Sequence, residues 1–244
     1  VRIIYDKQMP RNVLNHLLER FCTSSLDTLL PAGRYQNHKD LMKFPIFAMM
    51  PDDDGMPLAY PKWRQIMPEW VHSPSLIQTI RQRDRFIHVP YHSFDAYINL
   101  LREAAINPEV KSVKTTLYRL AKDSKVISAL IAAARNGKKG TVVIELLARF
   151  DEKSNIDWSK KMADAGVNVV MGVEGLKIHS KITLIQARCG DIAVISTGNF
   201  HEGNANAYTD FLQFTANRPI VNDAARVFDF IDKPFLPVRF KELI

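Results

Sequence analysis

The chain has 244 residues, 46% hydrophobic and 24% charged, enough ordinary globular material for one large domain or two smaller ones. It contains no uninterrupted apolar run of about 18 residues, which excludes a hydrophobic membrane-spanning helix. A formal net charge of +7 favours polyanionic partners such as nucleic acid, acidic membrane or phosphate compounds. Cys22 and Cys189 are the only cysteines and lie far apart, which fits a reducing cytoplasm and no disulfide framework. The chain starts at Val1 inside a strand-like stretch, with no charged-then-apolar leader, and reads as a piece of a longer protein begun in mid-fold.

Residues 1–7 predict a strand, Asp6 to Pro10 a turn, and Arg11 to about Phe21 a helix with Val13, Leu14, Leu17 and Leu18 along one stripe. From Pro31 to Pro74 prolines are dense and little regular structure is expected. Asp52, Asp53 and Asp54 before Gly55 are consecutive, whereas a calcium loop needs alternating acids and a closing Glu, so a solvated turn is the better reading. Residues 75–89 predict a helix leading into a strand, and a domain boundary is placed near residues 84–90, giving parts 1–84 and 85–244.

Beyond Asp84 strands and helices alternate. Residues 94–106 have helical spacing and 110–120 read as a strand. Residues 123–137 form a helix with Asp123 or Ser124 as N-cap and Gly137 as the stop. A buried strand over 141–150 precedes a helix over 151–166 ending at Gly166. Strands follow at 167–173, 177–185 and 191–199, then a closing helix at 221–232. This alternation predicts a layered α/β domain with much of its sheet parallel.

The chemistry gathers in "GLKIHSKITLI", residues 175–185. As a strand it would direct Lys177, His179 and Lys181 to one side. The neighbouring cations lower the pKa of the imidazole and keep its lone pair free at neutral pH. Thr197, Gly198 and Asn199 then supply small residues, an amide side chain and a turn suited to an anion nest. A neutral imidazole beside an ammonium group and such a turn can attack a phosphoryl group, with Lys181, Thr197 and Asn199 as phosphate binders. A histidine on a strand is also a common structural residue, so the spacing alone leaves that alternative open. Glu145 within a strand and Asp151–Glu152 at a helix start are discounted as paired acids. His88 and His92 lack a third close ligand and read as loop histidines rather than metal ligands.

His179-x-Lys181 followed by the Gly198–Asn199 turn resembles the phospholipase D superfamily pattern. The position where that pattern carries an Asp holds Gln186, a departure that argues against phospholipase or nuclease chemistry. The longer blocks "PYHSFDAYINLLREAA", "KTTLYRLAKDSKVISALIAAARNGKKGTVVIELLARFDEKSNIDWSKKMADAGVNVV" and "STGNFHEGNANAYTDF" resemble the catalytic region of the bacterial polyphosphate kinase family. Residues 84–232 match densely, and 1–21 more loosely resemble the end of that family's head domain.

The resemblance implies a phospholipase D-like layered α/β domain with a mixed sheet, the first of two catalytic domains, behind part of an α+β head domain. It implies reversible transfer of the ATP γ-phosphoryl group through a phosphohistidine to the end of a polyphosphate chain. His179 is then the nucleophile, Tyr208 contacts ATP, and Lys177 joins the phosphate clamps. Arg119 and Arg149 hold magnesium-bound phosphate, through the phosphate or water because a guanidinium cannot coordinate a cation. Expected with it are Mg2+, ATP or ADP and polyphosphate, a homodimeric or homotetrameric full-length enzyme, no nucleic acid, and a cytoplasmic location, with peripheral membrane association as an option. Because the superfamily pairs two such half-sites and this chain has one, the piece alone is expected to be inactive. A non-catalytic polyanion-binding module and a phosphodiesterase of the same superfamily are the alternatives.

Overall fold

The computed structural model describes residues 2–24, 27–35, 63–118, 120–121, 123–145, 152–173 and 175–243, with residues 152–154 described in backbone only. It divides into two compact units, residues 1–62 and 63–244. The expected coil between Pro31 and Pro74, with its Asp52–Asp54 turn, lies largely outside the described residues.

In the smaller unit β1 (Arg2–Asp6) pairs in parallel with β2 (Thr28–Ala32), and α1 (Arg11–Arg20) connects them. Pro10 precedes the helix, where a missing N–H costs nothing. The Val13, Leu14, Leu17 and Leu18 stripe exists, but α1 buries none of its residues within this unit.

The larger unit contains α2 (Leu76–Gln82), β3 (Arg85–Val89), α3 (Asp95–Ile106), β4 (Val110–Leu117), α4 (Lys125–Arg135) and β5 (Lys139–Ile144). There follow α5 (Glu152–Asp164), β6 (Asn168–Met171), β7 (Ile182–Ala187), β8 (Ile192–Ser196), the short α6 (Glu202–Ala205), β9 (Asp210–Thr215) and α7 (Arg218–Asp232). Residues 63–84 belong to this unit, so the division falls earlier than the expected boundary near 84–90. The cause is α2, whose Leu76, Ile77 and Ile80 are buried in the main core beside Trp70. Ser75 caps α2 by accepting from the Gln78 N–H at 3.2 Å. Of the two candidate caps for α4, Ser124 is the one used, accepting from the Ile127 N–H at 3.3 Å. Gly137 and Gly166 follow α4 and α5 at φ of 79° and 87°, the left-handed geometry that ends a helix cheaply only at glycine.

The sheet has seven strands in the order β3-β9-β8-β7-β4-β5-β6. Only β4, β5 and β6 run parallel; the pairings β3–β9, β9–β8, β8–β7 and β7–β4 are antiparallel. The sheet is therefore mixed, and the expectation that much of it is parallel gives way. The antiparallel side begins where β7 pairs with β4, turns back into β8 through residues 188–191, and is extended by β9, which inserts between β8 and β3. Its buried Leu212 and Phe214 alternate with Phe211 and Gln213, but an exposed Phe211 blurs the period-two signal.

Helices cover both faces. Residues of α2, α3, α4 and α5 pack with Val113, Leu117, Val142, Ile144, Ile185 and Val194 on one face. On the other, Val221, Ala224, Phe228 and Ile231 of α7 meet Val143, Ile182, Leu184 and Ala193. Adjacent residues of β5 and β7 thus serve opposite layers, which is what two-sided burial asks of a strand. Beneath β7, the Tyr97 hydroxyl of α3 lies 2.7 Å from Thr183 Oγ1, itself 2.7 Å from Thr115 Oγ1.

Candidate active site

The expected strand over 177–185 begins at Ile182; Lys177–Lys181 lie outside the regular ladder. Side chains hold this stretch. Glu145 accepts from the Ile178 N–H at 2.8 Å, and the Thr116 hydroxyl donates to the Ser180 carbonyl at 2.6 Å while accepting from the Ile182 N–H at 3.0 Å. The Ser196 N–H donates to the Lys181 carbonyl at 2.9 Å, tying the stretch to the end of β8.

His179 and Lys181 line a cleft of about 500 Å³ with Tyr118, Thr197, Asn199, Asn204, Tyr208 and Asp210. His179 is exposed, whereas Lys181 is 9% exposed and turns its ammonium back to donate to the His179 carbonyl at 2.5 Å. The Lys181 charge, then burial, then the Lys177 charge hold the His179 pKa below the ordinary imidazole value. Burial pulls the Lys181 pKa down, Asp210 opposes this, and Lys177 adds to it. Lys177 does not join the cleft wall: its ammonium sits 5.4 Å from the centre of the Tyr118 ring. That ring meets the His179 ring edge-on, with centroids 5.5 Å apart at 89°.

The Thr197–Gly198–Asn199 turn joins the cleft but is not an open nest. The Thr197 N–H donates to the Phe211 carbonyl at 3.1 Å and the Gly198 N–H to Ser196 Oγ at 3.1 Å. The Thr197 hydroxyl donates to Asp210 at 2.8 Å and accepts from the Phe211 N–H at 3.0 Å, so it faces protein rather than an open phosphate position. Asn199 Oδ1 is buried with no hydrogen-bond partner among the described residues. Tyr208 is 62% exposed on the cleft rim and is no part of the core. Arg119 and Arg149 lie outside the described residues.

Tyr118 and Asp210 were not singled out from sequence, although each adjoins a named motif, Tyr118 in "TLYR" and Asp210 in "AYTD". Gln186 is the substantive correction. It lies at the far end of β7 from His179, where its Oε1 accepts from the Ser112 hydroxyl at 2.7 Å. At about 3.3 Å per residue that is roughly 20 Å from the imidazole, so its identity carries no argument against hydrolytic chemistry. His88 lies in β3 rather than a loop, stacked on Phe211 at 4.3 Å, and its N–H donates to His92 Nδ1 at 3.0 Å. A second, more apolar cleft of about 490 Å³ borders the same stretch, lined by Ile182, Ile195, Val227, Phe240 and Leu243.

No group of three or more His, Cys, Asp or Glu side chains among the described residues is placed to hold a metal ion. Among the described residues lining the cleft the one carboxylate is Asp210, already bonded to Thr197, amid cationic and amide groups. Magnesium requires a set of oxygen ligands, and these residues do not fit a protein-ligated ion. Among the described residues no helix is long and apolar enough to cross a membrane.

The fold and cleft define a mixed-sheet α/β domain that presents an exposed histidine, its pKa lowered by neighbouring lysines, at one end of the sheet. Residues 75–236 match the family model described as Polyphosphate kinase C-terminal domain 1. The polyphosphate kinases of Vibrio parahaemolyticus and Escherichia coli K12 are each 42% identical to the chain over its whole length, which covers 35% and 36% of theirs. The crystal structure of polyphosphate kinase from Porphyromonas gingivalis superimposes with a TM-score of 0.72 and 38% identity, covering 98% of this chain and 38% of that one. The chain belongs to the polyphosphate kinase family, and it spans about a third of the length of the curated relatives it matches.

Proposed function

We propose that the protein to which this chain belongs is a phosphotransferase that moves the γ-phosphoryl group of ATP onto His179 and from there onto the end of a polyphosphate chain. The observation that carries this reading is the exposed His179, kept uncharged by Lys181 on the wall of a cleft large enough for phosphate groups. A ring nitrogen of neutral His179 forms a bond to the γ-phosphorus as the bond to the β–γ bridging oxygen breaks, and ADP leaves. A terminal oxygen of polyphosphate then attacks the same phosphorus, the N–P bond breaks, and the chain is one phosphate longer. The reverse sequence returns phosphate to ADP. The Lys181 ammonium and the Asn199 amide accompany the charge on the transferring group.

Lys177 acts at longer range, from over Tyr118, and the exposed ring of Tyr208 suits a nucleotide contact. Arg119 and Arg149 complete the clamp on phosphate in this reading, and magnesium enters as the counter-ion of the nucleotide rather than on protein ligands. In the same reading the active enzyme is the longer chain, assembled as a homo-oligomer in the cytoplasm.

The test is acid-labile phosphate on His179 after the full-length protein meets γ-labelled ATP, with His179→Ala in parallel. Label lost with the variant, and polyphosphate synthesis reduced by several orders of magnitude, is the expected result. Near-normal synthesis by His179→Ala overturns the covalent path. An absence of label from ATP favours a polyanion-binding module or a phosphodiesterase instead.

A further inference from the structure

We propose that Thr116 and Glu145 are positioning residues that hold the His179–Lys181 stretch in register with the cleft; the inference rests on the nucleophilic role of His179. The antiparallel ladder between β4 and β7 runs from Val110↔Ala187 to Thr115↔Thr183 and stops there. Continued by one step, it would set Thr116 opposite Ile182. Instead the Thr116 side chain, 2% exposed, uses one hydroxyl twice: it donates to the Ser180 carbonyl at 2.6 Å and accepts from the Ile182 N–H at 3.0 Å. These groups flank Lys181, so a single hydroxyl brackets that residue. One strand over, Glu145 follows β5, is 3% exposed, and accepts from the Ile178 N–H at 2.8 Å, immediately before His179.

A side-chain carboxylate and hydroxyl buried to bind main chain are a costly way to hold a strand that could have used ladder bonds. What they achieve is a stretch kept off the ladder, with His179 exposed to the cleft while Ile178 is buried beside Ile182 under α7. The Lys181 ammonium then reaches the His179 carbonyl, a contact that depends on the peptide path Thr116 fixes. Displacing a reacting group by about 1 Å can cost on the order of 100-fold in rate even when substrate binding is intact. Neither residue is among those lining the cleft, and in this proposal both act through the residues they hold.

Among the described residues the charged and titratable groups near His179 are Lys177 and Lys181 of its own stretch, Glu145 after β5, Tyr118 after β4 and Asp210 of β9. Of these, Lys181 does most to keep the imidazole uncharged. Slackening the bracket lets the ammonium drift and raises the pH below which His179 becomes protonated and inactive.

The experiment compares Thr116→Val, Thr116→Ser, Glu145→Gln and Glu145→Ala with wild type and His179→Ala, all in the full-length enzyme. It measures kcat, KM for ATP, the pH–rate profile and the melting temperature. Thr116→Val should lower kcat by about 100-fold with KM changed less than about threefold, and move the acid limb of the profile upward. Thr116→Ser, which keeps the hydroxyl, should restore both. Glu145→Gln keeps an acceptor oxygen at the same position and should retain more activity than Glu145→Ala, the more disruptive truncation.

Wild-type kcat and pH profile in Thr116→Val, with His179→Ala inactive, overturn the positioning role and leave the function intact. Equal losses in Thr116→Val and Thr116→Ser, matched by lower melting temperatures, overturn it in favour of a purely structural role. Activity retained by His179→Ala identifies the parent reading as the part that failed.

Discussion

Replacing Gly198 by alanine tests the packing of the cleft directly. A β-carbon at this position would fall 2.2 Å from Asp210 Oδ2, 2.4 Å from its Cγ and 2.8 Å from its Cβ. Ordinary contact begins at 3.4 Å, so the carboxylate must retreat by about 1 Å, and part of the β9 backbone with it, because the Asp210 Cβ is also too close. Overpacking of this kind costs about 1–3 kcal/mol. Taking about 2 kcal/mol, and about 2–4 °C per kcal/mol for a unit of this size, the melting temperature should fall by about 4–8 °C.

The displacement also breaks the 2.8 Å bond from the Thr197 hydroxyl and moves away the charge that opposes the effect of burial on Lys181. Lys181 would then hold its proton less firmly, and phosphoryl transfer should fall along with stability. The assay is thermal unfolding plus γ-labelled ATP turnover of the full-length Gly198→Ala enzyme, repeated in an Asp210→Gly background. Asp210→Gly deletes the three clashing atoms, so the added alanine should cost much less stability there, while activity stays low. An alanine variant with wild-type melting and turnover, or the same penalty in both backgrounds, refutes the reasoning.

Lys181→Met removes the largest influence on the His179 pKa, so its titration, followed by the imidazole NMR signals, should move up toward the ordinary value and carry the acid limb of activity with it. Tyr97→Phe deletes a fully buried hydroxyl but leaves the Thr115–Thr183 pair bonded, so urea unfolding should show a loss of about 1 kcal/mol. Asp223 is buried, which pushes its pKa up, but the N–H groups of Glu242, Leu243 and Lys241, with Arg226, outweigh this and hold it well below the usual carboxylate range. Its contribution is therefore complete above the unfolded carboxylate pKa near about 3.9 and is lost only as pH falls through the lower folded value. Asp223→Asn should free residues 241–243, read as faster amide exchange there at neutral pH and little further change down to about pH 4.

Much of this molecule is written locally. Helix spacing, the Ser124 cap and the stops at Gly137 and Gly166 are short-range signals, because a cap or a left-handed turn is satisfied by residues within one turn. The same holds for the juxtaposition of His179 and Lys181, two residues apart in one stretch, and for the depressed imidazole pKa that follows from it. Family membership was legible for a related reason: long blocks of sequence carry it independently of any contact.

What tertiary structure alone decided depends on residues brought together from distant positions. The antiparallel half of the sheet arises because β7 pairs with β4 rather than β6 and because β9 threads between β8 and β3, pairings that no periodicity encodes. Asp210 reaches Thr197 and Gly198 through the β8–β9 pairing and accepts from the Thr197 hydroxyl, while the Phe211 carbonyl takes the Thr197 N–H that the turn by itself would have offered to an anion. Glu145, discounted as a strand acid, becomes a clamp because β5 ends beside Ile178. Gln186, weighty in a linear motif, becomes remote because a strand carries it roughly 20 Å from His179 along the sheet. A motif fixes which groups are near in sequence; only the strand order and register fix which of them share a cleft.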